Sequence, residues 1–394
     1  MNIVQINATC GSGSTGKICV SVSELLNKNN VPNSIIYSNG HSDYPNGIKV
    51  GCNVYIKFQA FYSRILGNYG FNSFLATKKI IRLLDQLKPD IVHLHNLHSH
   101  NCNIGKVLDF LRKKRIKIFW TFHDCWAFTA YCPYFDISKC DYWKTECHNC
   151  CQRKSYSWFF DRSRYLYKKK KDAMTELDLT IITPSQWLAD QVKMSFLKDY
   201  PVKVINNGMD LSVFKPTESG FRDRYGLVGK NVVLGVAFGW GLRKGLDVFI
   251  ELSKRLPENY SIVLVGTDDR VDTTLSANII PIHRTQNQTE LAEIYTAADV
   301  FANPTREEVL GHVNIESLAC GTPVVTFKTG GSPECIDETC GSVVDCDDVD
   351  AMESEIRRIC EKKPYSKEAC ILHAKKFDMN ERFEEYVKLY KECK

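Results

Sequence analysis

No stretch of the 394-residue chain holds an apolar run long enough to span a bilayer, which argues against an integral membrane protein. The opening residues Met1-Asn2-Ile3-Val4-Gln5-Ile6-Asn7 lack a basic region followed by a long apolar one. They read as a first strand, not a signal peptide, so a cytoplasmic protein is expected. Internal repeats and low-complexity segments are missing. So is any helix-turn-helix or zinc-finger pattern, and nucleic acid is not an expected partner. The glycine-rich segment Cys10–Ile18 is no Walker A loop, because Ile18 follows Gly16-Lys17 where Ser or Thr is required; it also misses the dinucleotide spacing.

What is present is an ordinary globular composition, 44% apolar and 25% charged, and a length natural for two domains. The net charge of +5 hides an asymmetry. Residues 1–200 hold 27 Lys+Arg against 15 Asp+Glu, and the remainder 24 against 31. A basic first half suits an anionic membrane surface or another polyanion. Runs such as Arg112–Arg115 and Lys168–Lys171 also fit solvated helix faces.

Strand-like and helix-like segments alternate throughout, the pattern of an α/β fold with parallel sheets. Strands are expected at Ile3–Ile6, Ser34–Tyr37, Ile91–Leu94, Ile116–Thr121, Thr180–Ile182 and Val202–Ile205. A second series begins at Val232–Ala237 and ends at Ser342–Val344. Between the series, Asn206-Asn207-Gly208 is turn chemistry and Lys215-Pro216 starts an extended connection. Two doubly wound Rossmann-like domains follow, 1–205 and 216–376, with a hinge at 206–215. The segment 377–394 has helical periodicity and is expected to pack back on the first domain. Open α/β sheets bind ligands at the carboxyl ends of their strands, so a cleft between the domains is the expected site.

The most informative string runs from Asn303 to Val325: strand, loop, helix, glycine stop, strand. Gly311 opens a helix whose first N–H groups can bind an anion. Glu316 lies within that helix, where its carboxylate can accept from a ribose diol. Glu308 precedes the helix and can reach a second set of hydroxyls. Seven residues separate the two glutamates. This string resembles the donor motif of retaining glycosyltransferases of family 4, which have the GT-B architecture. The resemblance implies that Glu316 binds the ribose and Glu308 the transferred sugar. It implies that the N–H groups of Leu310, Gly311, His312, Val313 and Asn314 face the diphosphate. It also makes the first domain the acceptor side, the second the nucleotide-sugar side, and the product retained in anomeric configuration.

In Val236–Asp247 a strand enters a glycine-rich loop with Gly239, and Arg243 and Lys244 supply cations for a leaving diphosphate without a catalytic metal. Lys244 matches the family lysine before the helix glycine. Phe238 stands roughly where relatives carry an arginine, so Arg243 is the expected substitute. In the resembled family the first glycine-rich loop borders acceptor and diphosphate, which singles out Gly13, Thr15, Gly16 and Lys17. A histidine after a strand lies near the reacting sugar, and His123 matches it, with Asp124 placed to orient it or the acceptor. His93, His95, His98 and His100 read as cleft lining or structure in preference to a metal site.

Seventeen cysteines in a chain without a secretion signal are expected to be thiols. Cys132, Cys140, Cys147 and Cys150 have loose ligand spacing, and a structural zinc pinning an insertion at about 125–151 is one expectation. An iron–sulfur cluster and unligated thiols are the others. The expected partners are a nucleotide sugar and a saccharide acceptor on a lipid pyrophosphate, met at the inner face of the cytoplasmic membrane, as in capsule or lipopolysaccharide assembly. The rival readings are an epimerase or inverting transferase of the same fold, and a zinc-containing polyanion-binding protein. The latter leaves the Glu308–Glu316 string unexplained.

Overall fold

The computed structural model describes residues 1–98 and 100–393. It contains two compact units, one of residues 1–206 with 382–394, the other of Asn207–Glu381.

The first unit is built on a seven-stranded parallel sheet: β1 (Ile3–Asn7), β2 (Asn33–Tyr37), β3 (Gly47–Lys49), β4 (Ile91–Leu94), β5 (Lys117–Thr121), β6 (Leu179–Thr183) and β7 (Val202–Val204). Their spatial order is β3-β2-β1-β4-β5-β6-β7. The inner strands are buried along their length, as strands covered on both faces must be. Helix boundaries have local causes. The Asn103 side chain accepts from Lys106 N–H to open Ile104–Lys114, and Ser185 accepts from Leu188 N–H to open Gln186–Met194.

The helix Met379–Lys391 ends on this unit. Tyr386 and Tyr390 are buried, and Tyr390 Oη lies 2.5 Å from His93 Nδ1. The other nitrogen of His93 meets Thr121 Oγ1 at 2.8 Å.

The second unit has six parallel strands, β8 (Asn231–Val236), β9 (Tyr260–Val265), β10 (Ile279–Ile282), β11 (Val300–Asn303), β12 (Val324–Phe327) and β13 (Gly341–Val344), in the order β10-β9-β8-β11-β12-β13. Strand order reverses between β1 and β4 in the first sheet and between β8 and β11 in the second. Ligands of doubly wound sheets collect at the carboxyl ends beside such a reversal.

The strands β3 and β10 are additions to the expected series. Both strands are short and lie at sheet edges, where Pro281 removes no hydrogen bond from a central ladder.

Candidate functional site

At the carboxyl edge of the second sheet, the loops after neighbouring strands β8 and β11 are locked together. Gly245 makes this approach possible. Its φ is +73°, and a Cβ there would stand 2.4 Å from the Pro304 carbonyl oxygen. The Arg306 N–H donates to the Arg243 carbonyl at 2.9 Å. The Arg306 guanidinium grips both carboxylate oxygens of Asp247, at 2.8 and 2.7 Å, and reaches Asp347 at 2.6 Å.

The clasp brings Lys244 to Glu308, with Nζ and Oε2 2.7 Å apart and each side chain about a fifth exposed. Burial would raise the Glu308 carboxyl, but the charge and hydrogen bond of Lys244, the Val309 N–H and nearby Arg243 outweigh it and hold the group below its usual range. Glu308 is therefore an anion at neutral pH. On its far side the Glu308 carbonyl sits against Gly330, where a Cβ would come within 1.7 Å.

Gly311, at φ +86°, starts the helix His312–Ala319. The N–H groups of His312 and Val313 lie in its first turn, where no intrahelical acceptor exists. Asn314 differs from expectation. Its N–H bonds the Gly311 carbonyl at 2.9 Å, and its buried amide ties Asn303 to Ser332. It shapes the turn and does not present a donor. Leu310 is a buried core residue whose carbonyl accepts from the Cys335 thiol.

Burial lowers the His312 imidazole, with the Glu308 charge opposing, so the ring is neutral near pH 7. Its Nε2 atom is buried and has no hydrogen-bond partner among the described residues. Glu316, one helical turn on, accepts from Tyr295 Oη at 2.9 Å. Phe238 is fully exposed at the end of β8, and a Cβ on Gly239 would meet nothing within 4 Å.

In the first unit, the turn after β1 is held by Asn7, whose amide donates to Thr9 O and Thr15 Oγ1 while its Oδ1 accepts from Asn96 N–H. Gly16 is packed too tightly for a side chain, since a Cβ would lie 2.6 Å from Thr9 Oγ1. Gly13 has φ +67° with open space around it, and Lys17 is exposed. The helix that follows starts at Gly13, which puts Thr15, Gly16 and Lys17 in its first turns.

His123 follows β5 half-buried, its Nε2 3.2 Å from His95 Nδ1 and the two rings stacked at 5.5 Å. Asp124 is oriented by other groups. One oxygen meets His98 Nε2 at 2.8 Å and the other accepts from Trp126 N–H. His98 in turn contacts Tyr69 Oη at 3.0 Å. The histidines after β4 thus serve side-chain pairing.

The structural zinc is not supported. A tetrahedral zinc with bonds near 2.3 Å needs sulfurs about 3.8 Å apart. Among the described residues, no three of the ligand atoms of Cys132, Cys140, Cys147 and Cys150 gather within 4.8 Å of one another. The segment is pinned by packing instead. Trp143 stacks on Phe135 at 4.7 Å, and buried Lys170 donates to the carbonyls of Trp126 and Thr129.

Several participants carry no local signature in the sequence. Tyr295 sits on the helix before β11 and reaches Glu316 only through the fold. Gln5 did leave a trace, as a polar residue inside the apolar run of β1. Its Nε2 donates to Cys19 O at 3.0 Å and its Oε1 lies 3.1 Å from His95 Nε2.

Both units of the chain match known proteins. The sequence model described as Glycosyltransferase Family 4 matches residues 23–213, and that described as Glycosyl transferases group 1 matches residues 226–377. A protein of Escherichia coli (strain K12) named as the colanic acid biosynthesis glycosyl transferase WcaC is 24% identical, over 89% of this chain and 88% of its own. A GDP-mannose-dependent alpha-(1-6)-phosphatidylinositol monomannoside mannosyltransferase of Mycolicibacterium smegmatis is 35% identical over 38% of this chain and 44% of its own length. The structure of Anabaena Alr3699/HepE in complex with UDP and glucose covers both chains fully with a TM-score of 0.71 at 14% identity. With each half matched by a glycosyltransferase family and both sheets wound as that fold requires, the chain belongs to the glycosyltransferases of GT-B fold.

Proposed function

We propose that the chain moves a sugar from a nucleotide-sugar donor to a hydroxyl of a saccharide acceptor, with retention of anomeric configuration, in surface polysaccharide assembly. The acceptor is proposed to be linked to a lipid pyrophosphate, and the reaction to take place at the inner face of the cytoplasmic membrane. The observation that carries this reading is the Lys244–Glu308 pair beside the Nε2 of His312, which has no partner among the described residues, at the reversal between β8 and β11. A cation, an anion and an orphan imidazole nitrogen are what a charged, hydroxyl-rich donor requires.

In this reading Glu316, held by Tyr295, takes the ribose diol. Glu308 takes hydroxyls of the transferred sugar. Lys244, Arg243 and the helix N-terminus at Gly311–Val313 stabilise charge on the departing diphosphate, a task that calls for no catalytic metal. The leaving phosphate oxygen accepts the proton of the attacking hydroxyl on the same face, through an oxocarbenium-like state. No covalent nucleophile is needed, and the protein acts by positioning and charge. The first unit is assigned to the acceptor, and His123 to the reacting sugar. The turn at Gly13–Lys17 is assigned to acceptor and diphosphate.

The relatives' names support the reading at two points. One belongs to colanic acid biosynthesis, and another acts on a phosphatidylinositol mannoside. The test is a thermal-shift panel spanning UDP- and GDP-sugars, followed by anomer analysis of the product. Absence of any nucleotide-sugar shift sinks the donor assignment. An inverted product sinks retention.

A further inference from the structure

The first unit carries an exposed aromatic surface that none of the sites above uses. On the helix Asn53–Leu66, Val54, Phe58, Phe61 and Tyr62 recur at helical spacing and are 41–78% exposed. A second segment, Trp158-Phe159-Phe160, is 44–62% exposed. The two form one patch. The rings of Phe61 and Trp158 meet edge to face at 5.6 Å, and Trp158 N–H donates to the Arg64 carbonyl at 2.8 Å. From Tyr62 the patch continues into a groove of about 370 Å³ lined by Phe71, Phe74, Lys106 and Lys169. Contiguous apolar surface of this kind marks a partner, where singly scattered residues would not.

The charge around it identifies the partner's chemistry. From Tyr44 to Leu84 the sequence has no Asp or Glu and six Lys or Arg. Lys57 lies on the helix itself, and Lys154, Arg164 and Lys168 are exposed around the second segment. Arg162 stacks over Phe160 at 5.8 Å and Lys169 over Tyr165 at 5.3 Å. Of the acids in reach, Glu146 pairs with Arg164 at 3.0 Å, and Asp161, an anion that accepts from Cys150 and Ser163 N–H, is outnumbered by the surrounding cations. Protein interfaces are depleted in lysine at their centres. Interfacial membrane helices instead combine buried aromatics with a lysine and arginine rim facing phosphates.

We infer that this face docks on an anionic lipid bilayer, with Phe58, Phe61, Phe159 and Phe160 entering the headgroup boundary. The loop after the helix carries Tyr69, which contacts His98 at 3.0 Å and packs edge to face on Trp126 at 6.0 Å. The docked face therefore lies one loop away from the carboxyl edge of β4 and β5, where a lipid-tethered acceptor would be presented. The inference rests on the proposed lipid-linked acceptor.

The test uses the full chain with vesicles of phosphatidylcholine alone or mixed with phosphatidylglycerol. The variants are Phe58→Ser/Phe61→Ser, Phe159→Ser/Phe160→Ser, and Lys57→Gln/Lys154→Gln/Lys168→Gln. Co-sedimentation should require the anionic lipid, and each aromatic variant should weaken it by roughly tenfold or more. The lysine variant should lose most of the salt-sensitive part. No binding of wild type to anionic vesicles, or equal binding by all variants, overturns the inference. So does a dimer in light scattering that the aromatic variants abolish while vesicles stay unbound, because the face is then a contact between copies. Nucleotide-sugar thermal shifts on the same samples separate the two readings. Shifts without vesicle binding sink the docking surface alone, and vesicle binding without shifts sinks the donor assignment alone.

Discussion

The Nε2 atom of His123 lies 3.2 Å from the Nδ1 atom of His95, and the second nitrogen of His95 faces Gln5 Oε1. This fixes where the protons are. The Gln5 amide nitrogen must face the Cys19 carbonyl, an acceptor only, so Oε1 faces His95. His95 therefore carries its proton on Nε2. Burial lowers its pKa well below the ordinary value, and the nearby histidines add to this, so the ring is neutral and its Nδ1 accepts. His123 must then donate from Nε2. Its tautomer is set two residues away, by a glutamine in β1. Gln5→Glu is expected to pull a proton onto His95 and reverse the hydrogen bond to His123. Transfer should fall by up to roughly a hundredfold, the scale on which misorientation of a reacting group acts. Nitrogen-15 spectra of the imidazoles report the tautomers directly. A wild-type His123 protonated on Nδ1 alone would contradict the assignment.

The Lys244–Glu308 pair gives a second expectation. Lys244→Ala should keep the fold, because both side chains lie at a loop edge, but lower kcat/KM by about a hundredfold or more. The same variant leaves the Glu308 carboxyl without its principal cation, so its pKa should rise. Glu316→Ala should likewise lose most transfer while remaining folded. Circular dichroism checks the fold, and initial rates check the chemistry. Near-normal turnover in either variant refutes its role.

Gly245 should be far less tolerant than Phe238. Gly245→Ala drives a Cβ against the Pro304 carbonyl in a left-handed backbone. It should cost about 1–3 kcal/mol and separate Lys244 from Glu308. Phe238→Ala removes a side chain that touches solvent, and should stay within about 0.5 kcal/mol of wild type. Denaturant melts of the two variants make the comparison.

Acid should weaken the first unit through its buried histidines. Burial lowers His93 to about 3 and His100 to about 4, from an ordinary 6.5, with neighbouring charges adding to the shift. Between those values the unfolded chain binds protons that the folded unit refuses, so stability is present above pH 6.5 and falls as pH drops toward 4. Each histidine contributes a slope of about 1.4 kcal/mol per pH unit in that window. Urea titrations across the range measure it. A flat profile would contradict neutral, buried rings.

The cysteines should separate by accessibility. Burial pushes the Cys147 thiol up to about 12 and Cys150 up to about 11. Neutral-pH alkylation read by mass spectrometry should label the exposed Cys52 and Cys346 first and leave Cys132 and Cys147 unmodified. Metal analysis after reducing purification should find no stoichiometric zinc.

Much of this architecture is legible in the sequence. The inner strands announce themselves as short apolar runs because both their faces are covered, and Ile91–Leu94 appears with the bounds its sequence suggests. The edge strands β3 and β10 escape that logic, since three or four residues with a glycine or proline among them hold no period. The spacing of Glu308 and Glu316 and the Gly311 helix start are local in sequence, and so was their proximity to one loop. Tyr295, Arg306 and His95 act through partners tens of residues away, and nothing in a linear pattern encodes such pairs. The cysteine cluster marks another limit: among the described residues no three of its ligand atoms gather as tightly as a zinc site needs, and packing of Trp143, Phe135 and Lys170 pins that segment.

The helix Met379–Lys391 has a bearing on biogenesis. Its closing turns belong to the first unit, yet they are synthesised after every residue of the second, which is continuous from Asn207 to Glu381. The ribosome thus delivers the earlier half without its final wall, leaving His93 and Thr121 uncovered until Tyr386 and Tyr390 arrive. The later half can close by itself. The first unit is therefore complete only after all of the second has been synthesised, and a truncation after Glu381 should strike the half of the protein farthest away in sequence.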